Sequence, residues 1–556
     1  MERRAIIFLI ISFAFLVFYS NMYKKMYPPK PAITKPAVED IHDEALKESK
    51  DKDEVSPNLH DQFKDQFKES VSELLEQEKN YKLENDYLKI EFSNIRACIK
   101  TMELKESELI RDESVQLVSF IDYDYQTGSL QRIGDFPLDA FYLFQLSDSG
   151  DSFIEFTSEY RGLKLIKKYS FGLKPYVVDL SIRFVNETAK DIELFRGYDL
   201  NIGVLPKGKH RSAMASELAV VEYDYFLSGG KGRFEKLGLS KIEDKTVFKE
   251  EILWGGMKSK YFTLIGSATD VVSNAMLGQK IDEGVYHYYL CAMRLDHVFI
   301  SSGQTLDQSW QLYLGPMNYQ ILKNAGQHLE AVMNLEGFWG SLSKGLMFAL
   351  QSLSRVLFNN YGLAIIVLTI ILKLIFYPLS AISLHSMKQM QALQPEMAEL
   401  KKKHKDNPKK IQQATMALYK EHNVKPLAGC LPMLVQIPIF IAFYKVLMIS
   451  IELRGADFLW IHNLAGPDTI FTFGEKIPLN ILPILNGAAM FFQQKMTPSD
   501  PSQKMLKIMM PVMITFFFYS LPSGLILYWF ITTLITIFQQ YQIQKKPSKI
   551  GAPAIG

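Results

Sequence analysis

The chain has 556 residues, a formal net charge of +2 and 48% hydrophobic residues. This length predicts more than one domain. The near-zero net charge excludes a general nucleic-acid-binding protein, which would carry a marked basic excess. Apolar runs are concentrated in residues 355–543, whereas residues 28–335 have the composition of a soluble protein.

The N-terminus combines basic residues with an apolar run. Arg3 and Arg4 precede apolar residues that extend to Tyr19. Because the run is long for a signal peptide and no small-residue cleavage site follows, residues 1–22 are predicted to form an uncleaved transmembrane anchor with its N-terminus in the cytoplasm. Residues 23–80 are rich in Pro and then in charged residues, which predicts a tether outside the cytoplasm.

From residue 81 the apolar pattern has a period of two. The segments YLKIEFS (87–93) and VVDLSIRFV (177–185) alternate apolar with polar side chains. Many such runs, separated by Gly, Asn and Asp turns, predict a large antiparallel β-sandwich over residues 81–322.

The chain has three cysteines, Cys98, Cys291 and Cys430, and none has the spacing of a zinc site. No cofactor is predicted. Cys98 and Cys291 both fall in the predicted sandwich, and two alternatives stay open for them: a disulfide, or two free buried thiols.

After Pro316 the pattern becomes helical. Leucines recur at helical spacing in residues 342–357, so residues 323–353 are predicted to contain an amphipathic helix lying at the membrane interface. The alternative is a helix packed on the sandwich. The region 354–546 then contains five apolar spans, several at or below the ~20 residues that cross a bilayer. These predicted spans are 355–378, 429–451, 477–496, 507–522 and 524–543.

Lysines are concentrated in the loop 379–428, between the first two of these spans, and are sparse in the loop 452–476. By the positive-inside rule, the first loop and both termini are cytoplasmic, the chain has six transmembrane helices, and the tail 547–556 is cytoplasmic. The loop 379–428 is predicted to form two helices that break at KDNP (405–408). This hairpin either docks acidic partners, ribosomal RNA or anionic lipid, or is a solvated face with a self-packed seam. The candidate docking lysines are Lys401, Lys402, Lys403, Lys405, Lys409 and Lys410.

No motif of a metalloprotease, serine hydrolase or nucleotide-binding loop is present, so the protein is predicted not to be an enzyme. Instead, polar residues and one cation interrupt the apolar spans. Collected on inner faces, they would make a hydrated groove. The alternatives are that Lys373 snorkels to the cytoplasmic end, that the Thr and Gln residues make interhelical hydrogen bonds, and that the two aromatics only pack. The candidate groove residues are Lys373, Thr369, Gln436, Asn486, Thr515, Tyr528, Trp529 and Thr532.

Several motifs resemble the YidC family of bacterial inner-membrane insertases over residues 338–543. One anchor, a large outer domain and five spans resemble its Gram-negative form. The motifs are FYPLS (376–380), LQPEM (393–397), MALYKEHNVKPLAGCLPMLVQIPIFIAFYKVL (416–447), FLWIHNLAGPD (458–468), ILPILNGAAMFFQQKMTP (481–498) and PSGLILYWFITTLITIFQQ (522–540).

The resemblance implies a multi-pass insertase and chaperone in the bacterial inner membrane, with a periplasmic β-sandwich and a helical core. It implies a hydrophilic groove whose cation, usually arginine, is Lys373 here, and a substrate-contacting aromatic at Trp529. Phe440 and Phe518 fall on the spans along which the substrate slides. The implied partners are nascent inner-membrane proteins, the Sec translocon, the ribosome or signal recognition components, and lipid; no specific nucleic-acid sequence is expected.

The two alternative functions are a small-solute transporter and an envelope-assembly protein. A small-solute transporter would show paired discontinuous helices or inverted repeats, and neither is evident. An envelope-assembly protein would use the β region to bind carbohydrate. Insertion that survives deletion of residues 81–320 would favour the insertase.

Overall fold

The computed structural model describes most of the β region and of the helical region that follows it. The predicted anchor and most of the tether, the tail, Lys405 and Cys430 lie outside the described residues. The described residues are 76–105, 115–118, 125–134, 136–137, 140–195, 197–207, 222–227, 233–237, 242, 246–283, 286–404, 407–422, 424, 431–473, 477–496 and 504–545.

The first part of the described chain consists of β-strands, and a further hairpin, β20–β21, lies among the helices. The strands are β1 Asn80–Glu84, β2 Leu88–Ser93, β3 Cys98–Leu104, β4 Val115–Val118, β5 Leu130–Ile133, β6 Gln145–Ser149, β7 Phe153–Tyr160, β8 Leu163–Phe171, β9 Val177–Asn186, β10 Ile192–Leu194, β11 Tyr198–Lys207, β12 Glu222–Leu227, β13 Arg233–Leu237, β14 Thr246–Lys258, β15 Phe262–Ala268, β16 Ser273–Glu283, β17 Tyr286–Leu295, β18 Val298–Ile300, β19 Thr305–Pro316, β20 Thr469–Phe473 and β21 Ile477–Asn480.

Most of these strands form one large sheet and a smaller one that pack against each other, while β10 pairs with β18 and β20 with β21 in separate two-stranded sheets. The small sheet has the order β1–β2–β3–β4, and the large sheet runs β5–β11–β17–β16–β14–β15–β19–β9–β8–β7–β6, with β12 and β13 attached to β14. The neighbouring strands of both sheets are antiparallel. The predicted antiparallel sandwich is therefore confirmed as the fold of this region.

Strand β2 illustrates why the period-two pattern predicted strands. Leu88, Ile90 and Phe92 are completely buried, whereas the alternating Lys89 is exposed. Successive side chains point to opposite faces of a strand, so alternation in the sequence becomes burial on one face.

A buried lysine ties the small sheet to the large one. Lys167 on β8 is completely buried, and its Nζ donates hydrogen bonds to the carbonyl oxygens of Arg96 (2.7 Å), Ala97 (2.8 Å) and Gly128 (2.5 Å). Arg96 and Ala97 lie in the turn between β2 and β3. Three carbonyl acceptors match the three N–H bonds of one ammonium group.

The disulfide alternative is wrong. Cys98 on β3 and Cys291 on β17 form no disulfide, and both are completely buried. They belong to two different apolar clusters in two different sheets, and burial rather than pairing accounts for both.

Helices follow the sandwich. They are α1 Tyr319–Ala325, α2 Gly337–Val356, α3 Tyr361–Ile375, α4 Tyr377–Ala392, α5 Gln394–Lys403, α6 Pro408–Glu421, α7 Leu431–Ile449, α8 Ile481–Met496, α9 Lys504–Phe518 and α10 Ser523–Lys545, with 3₁₀ turns at Leu329–Met333 and Ile451–Leu453.

Most of the apolar helices are short. Among the described helices, α10 combines the length and the hydropathy needed to cross a bilayer; α3 and α4 pass the same test only together, and they are bent by 67° at Phe376. Pro378 lies in the first turn of α4, and the residue before a proline disfavours helical geometry, which explains the break. The predicted span 355–378 is therefore a 15-residue helix that begins at Tyr361.

Helix α2 packs against the helical core. Leu346 and Leu350 are buried, and α2 contacts α3 and α7. At the start of α2, Phe338 remains 66% exposed. The placement of this helix at the membrane interface stays a prediction.

The basic hairpin contains three helices instead of the predicted two. The first predicted helix is split at Leu393, since Pro395 lies in the first turn of α5. Helix α6 begins at Pro408, where the side chain of Asn407 accepts a hydrogen bond from the backbone N–H of Lys410 (3.1 Å). This is an N-cap arrangement.

The sandwich and the helices share one apolar cluster of buried residues, which extends from Leu83 to Tyr528. Polar contacts cross the same boundary. The guanidinium of Arg454 lies 5.9 Å from the ring centre of Phe262, and Lys258 at the end of β14 donates a hydrogen bond to the carbonyl oxygen of Val332 in the 3₁₀ turn after α1 (2.7 Å).

Candidate functional site

A polar cavity lies between α3, α4, α7 and α10. Its empty space is about 400 Å³ when the adjoining open solvent is counted. Five of the predicted groove residues line it, together with apolar side chains from the same helices. The lining residues are Thr369, Leu372, Lys373, Phe376, Leu379, Ser380, Val435, Gln436, Ile439, Tyr528 and Thr532.

Lys373 is the cation of this cavity. It lies in the last turn of α3, where a positive charge is favoured by the helix dipole. Its Nζ donates a hydrogen bond to Oγ1 of Thr536 on α10 (3.0 Å). None of the described lining residues is acidic. The cavity therefore combines one positive charge with neutral polar groups.

Thr536 contacts the cavity lysine although it is not among the candidate groove residues predicted from the sequence. Its Oγ1 donates to the carbonyl oxygen of Thr532 (2.7 Å) while it accepts from Lys373. The signal was present in the sequence, since Tyr528, Thr532 and Thr536 recur every four residues and share one face of a helix.

A hydrogen bond between α7 and α10 forms another part of the cavity wall. Nε2 of Gln436 on α7 donates to the hydroxyl of Tyr528 on α10. The ring of Tyr528 stacks on Phe443, with centroids 4.6 Å apart. Thr369 is buried, and its hydroxyl donates to the carbonyl oxygen of Ile365 (2.6 Å). These contacts hold the side chains of Gln436, Tyr528 and Thr369 in place in the wall of the cavity.

Trp529 does not line the cavity, in contrast to the prediction. Its ring meets Phe440 of α7 and Phe518 of α9 edge to face, at centroid distances of 5.2 and 5.4 Å. Phe440 and Phe518 stack 6.4 Å apart. On a helix, consecutive residues point about 100° apart, so Tyr528 faces the cavity while Trp529 faces this aromatic triad of Phe440, Phe518 and Trp529.

Asn486 and Thr515 also lie away from the cavity. Asn486 on α8 is completely buried, with its Nδ2 3.9 Å from Sδ of Met490. Thr515 on α9 donates to the carbonyl oxygen of Pro511 (2.9 Å). A side chain at Gly487 would collide with the Thr515 hydroxyl. The absence of a Cβ there lets α8 and α9 approach closely, and this contact takes both polar groups away from the cavity.

The hairpin lysines are distributed over two helices. Lys402 and Lys403 on α5, and Lys409 and Lys410 on α6, are exposed, whereas Lys401 is half-buried. The two helices share an apolar seam on their inner side, and Tyr419 donates to Sδ of Met397 across it (3.1 Å). Met416 on α6 lies outside this seam and is 60% exposed. The buried seam residues are Leu393, Leu418 and Val424.

Comparison with known proteins assigns both halves of the chain. Residues 80–348 match the family described as "YidC periplasmic domain", and residues 353–549 match the family described as "60Kd inner membrane protein". A curated membrane protein insertase YidC from Syntrophus aciditrophicus (strain SB) is 31% identical over 569 residues, which cover 98% of this chain and all of that protein. The chain belongs to the YidC family of membrane protein insertases.

Other members of the YidC family agree. The membrane protein insertase YidC of Geotalea daltonii (strain DSM 22248 / JCM 15807 / FRC-32) is 35% identical over 72% of each chain. A crystal structure of an active YidC insertase with its first transmembrane domain resolved covers 83% of this chain and 92% of its own, at 19% identity and a TM-score of 0.39. The expected insertase function is confirmed by the curated relatives, and the transporter and carbohydrate alternatives are not favoured.

Membership of the YidC family also indicates the cellular location of the helical part and of the sandwich. The family descriptions give an inner membrane protein for the helical part and a periplasmic domain for the sandwich. The β region is therefore the periplasmic domain of an inner-membrane insertase.

Proposed function

We propose that this insertase holds an acidic, outward-bound stretch of its substrate at Lys373, in the polar cavity. The apolar span of the substrate meanwhile moves past the aromatic triad into lipid. The observation that carries the proposal is the unbalanced charge of the cavity, one lysine without an acidic residue among the described lining residues.

An isolated charge among apolar membrane helices costs free energy, so a charged residue at such a position usually serves a function. Lys373 interacts with a neutral hydroxyl, so its positive charge is left to attract a negative group. A substrate carboxylate would supply that negative group, and two opposite charges separated from bulk water attract each other more strongly than they do in water.

The short helices support the same mechanism. Helices α3, α8 and α9 have 15 or 16 residues, which corresponds to about 22–24 Å of rise, whereas the hydrocarbon core of a bilayer is about 30 Å thick. A bilayer that thins around these helices, together with a wet cavity, shortens the apolar path that a polar substrate segment must cross. Transfer of the apolar substrate span into lipid then drives the step, without a nucleotide or a catalytic residue.

The aromatic triad suits a sliding surface. Phe440, Phe518 and Trp529 come from three different helices and form one apolar surface. Such a surface offers an apolar substrate span contacts that do not depend on its sequence.

The proposal includes the number of transmembrane helices and the side of the membrane on which each terminus lies. The insertase would have six transmembrane helices, with both termini and the hairpin of α4 to α6 in the cytoplasm. The exposed lysines Lys402, Lys403, Lys409 and Lys410, with Lys401 and Lys405, would receive the ribosome or signal recognition components. The Sec translocon would be a partner for larger substrates.

The test is reconstitution of the full chain in liposomes, with protease protection of a small single-span substrate as the readout. Two versions of the substrate differ by Asp→Asn changes in its translocated stretch. Lys373→Met and Lys373→Glu should lower insertion of the acidic version by at least about tenfold, while Lys373→Arg retains it. The control is Lys495→Met, which removes a lysine from the end of α8.

If Lys373→Glu inserts the acidic substrate as well as the unmodified protein does, the cavity does not attract the substrate by charge. Equal losses for the acidic and the neutral substrate would also contradict the proposal, since they would point to damaged packing instead.

A further inference from the structure

We propose that Thr536 is a positioning residue that holds the Lys373 ammonium group inside the cavity, with its remaining donors available to a substrate carboxylate. This inference rests on the proposed function of Lys373, and it adds to that function the residue that keeps the charge in place.

The two hydrogen bonds of Thr536 define its role. Its Oγ1 donates its single proton to the carbonyl oxygen of Thr532 (2.7 Å) and lies 3.0 Å from Nζ of Lys373. A hydroxyl has one donor and two acceptor sites. Because the proton is used within α10, the hydroxyl presents lone pairs to Lys373 and acts as an acceptor there.

Thr536 is the one hydrogen-bond acceptor that the described residues offer to Lys373. An ammonium group has three N–H donors. One is directed to Thr536, which leaves two for a ligand, and a carboxylate has two oxygens that can accept them. The cavity thus holds a lysine that is fixed but not saturated.

The position of Lys373 makes such a fixed contact necessary. It lies two residues before the end of α3 at Ile375, and a lysine has a long flexible stem that can carry its charge toward the end of a helix. Thr536 belongs to another helix, α10, which packs against α3. The hydrogen bond between helices therefore selects the conformation in which the charge stays in the cavity over the snorkelling conformation.

Helix α10 provides a matched control for Thr536. Thr533 also donates its hydroxyl proton to the carbonyl oxygen four residues earlier, that of Trp529 (2.9 Å), and it is buried. Among the described residues, the hydrogen bond of Lys373 goes to Thr536 and not to Thr533. A Thr→Val change keeps the branched shape at either position and removes one hydroxyl.

The experiment uses the full chain in liposomes with the acidic and neutral single-span substrates. Thr536→Val is expected to lower insertion of the acidic substrate about tenfold, the size expected for losing a hydrogen bond to a charged group, and to leave the neutral substrate within about twofold. Thr536→Ser, which keeps the hydroxyl, should retain insertion of the acidic substrate. Thr533→Val should behave like the unmodified protein.

A double variant separates positioning from general damage. In a Lys373→Met background, Thr536→Val should cause no further loss, because two residues that act through one contact are not additive. The proposal is overturned if Thr536→Val lowers both substrates equally, if its loss adds to that of Lys373→Met, or if Thr533→Val is equally harmful. If Lys373→Met lowers insertion of the acidic substrate but Thr536→Val does not, the positioning role of Thr536 is refuted and the proposed function of Lys373 stands. If Lys373→Met lowers insertion of neither substrate, the proposed function itself is refuted.

Discussion

One carboxylate joins the sandwich to the helical core, and its removal is expected to loosen that junction. Glu452 lies in the 3₁₀ turn after α7 and is 6% exposed. Its Oε1 accepts hydrogen bonds from Nδ2 of Asn318 and from Nε2 of Gln351, both at 2.8 Å. Asn318 follows β19 and caps α1 through its own Oδ1, and Gln351 belongs to α2. Three segments therefore meet at this one side chain.

The expected magnitude follows from these two contacts. A hydrogen bond to a charged group contributes about 1.5–3 kcal/mol. Because the two bonds share one acceptor and are not additive, we expect Glu452→Ala to cost about 3 kcal/mol of local stability, since it leaves two amide donors without their acceptor. Glu452→Gln keeps an oxygen that can accept both bonds and should cost about 1 kcal/mol.

Hydrogen exchange of backbone amides in the full chain measures this loss, because it reports local opening. At 3 kcal/mol, Glu452→Ala should accelerate exchange in α1 and α2 by about 100-fold, with little change in the distant strands β6 to β8. Glu336→Ala is the control, since Glu336 is an exposed glutamate directly before α2 that makes no capping hydrogen bond. Unchanged exchange in α1 and α2 would refute the reasoning. A Gln variant as loose as the Ala variant would show that the charge, rather than the two hydrogen bonds, holds the junction.

Two further predictions concern lysines outside the cavity. Burial lowers the pKa of Lys167 from its ordinary value of 10.5 to about 7. Between pH 7 and about 10 the unfolded chain therefore binds one more proton than the folded one, and the free energy of unfolding must rise with pH. The thermal stability of the full chain relative to Lys167→Met should therefore grow across this window in scanning fluorimetry, and a flat or falling difference would contradict it. Lys388 donates to the last carbonyl oxygens of α10, those of Ile543 (2.8 Å) and Gln544 (3.1 Å); Lys388→Met should speed amide exchange at this helix end about fivefold, because a cation stabilises a helix C-terminus by about 1 kcal/mol, while Lys388→Arg should not. Equal exchange in the Met and Arg variants would refute that contact.

The fold of the sandwich was predictable at the level of single strands but not of their order. Leu88, Ile90 and Phe92 are buried because alternation within one strand is a local property of the chain. The pairing of β9 with β19 joins Val185 to Thr305, and no local pattern indicates which distant strands become neighbours.

The candidate site shows the same division. Polar residues in apolar spans were visible in the sequence, and five of them line one cavity. Asn486 and Thr515 looked equivalent to those five, yet the close approach of α8 and α9 at Gly487 takes them elsewhere. Which face a polar residue presents depends on how the helices pack, which the period of one helix does not reveal.

By itself, the sequence determined the β-sandwich, the apolar helical region, the basic hairpin and, through its motifs, the family. These depend on composition, periodicity and residue identity, which are properties of short segments. The three-dimensional structure was needed to show that Lys373 meets Thr536 on a helix 163 residues away, that Trp529 joins Phe440 and Phe518, and that Cys98 and Cys291 form no disulfide. Each of these depends on which side chains meet across separate elements, and those distances are set by the packing of the whole chain.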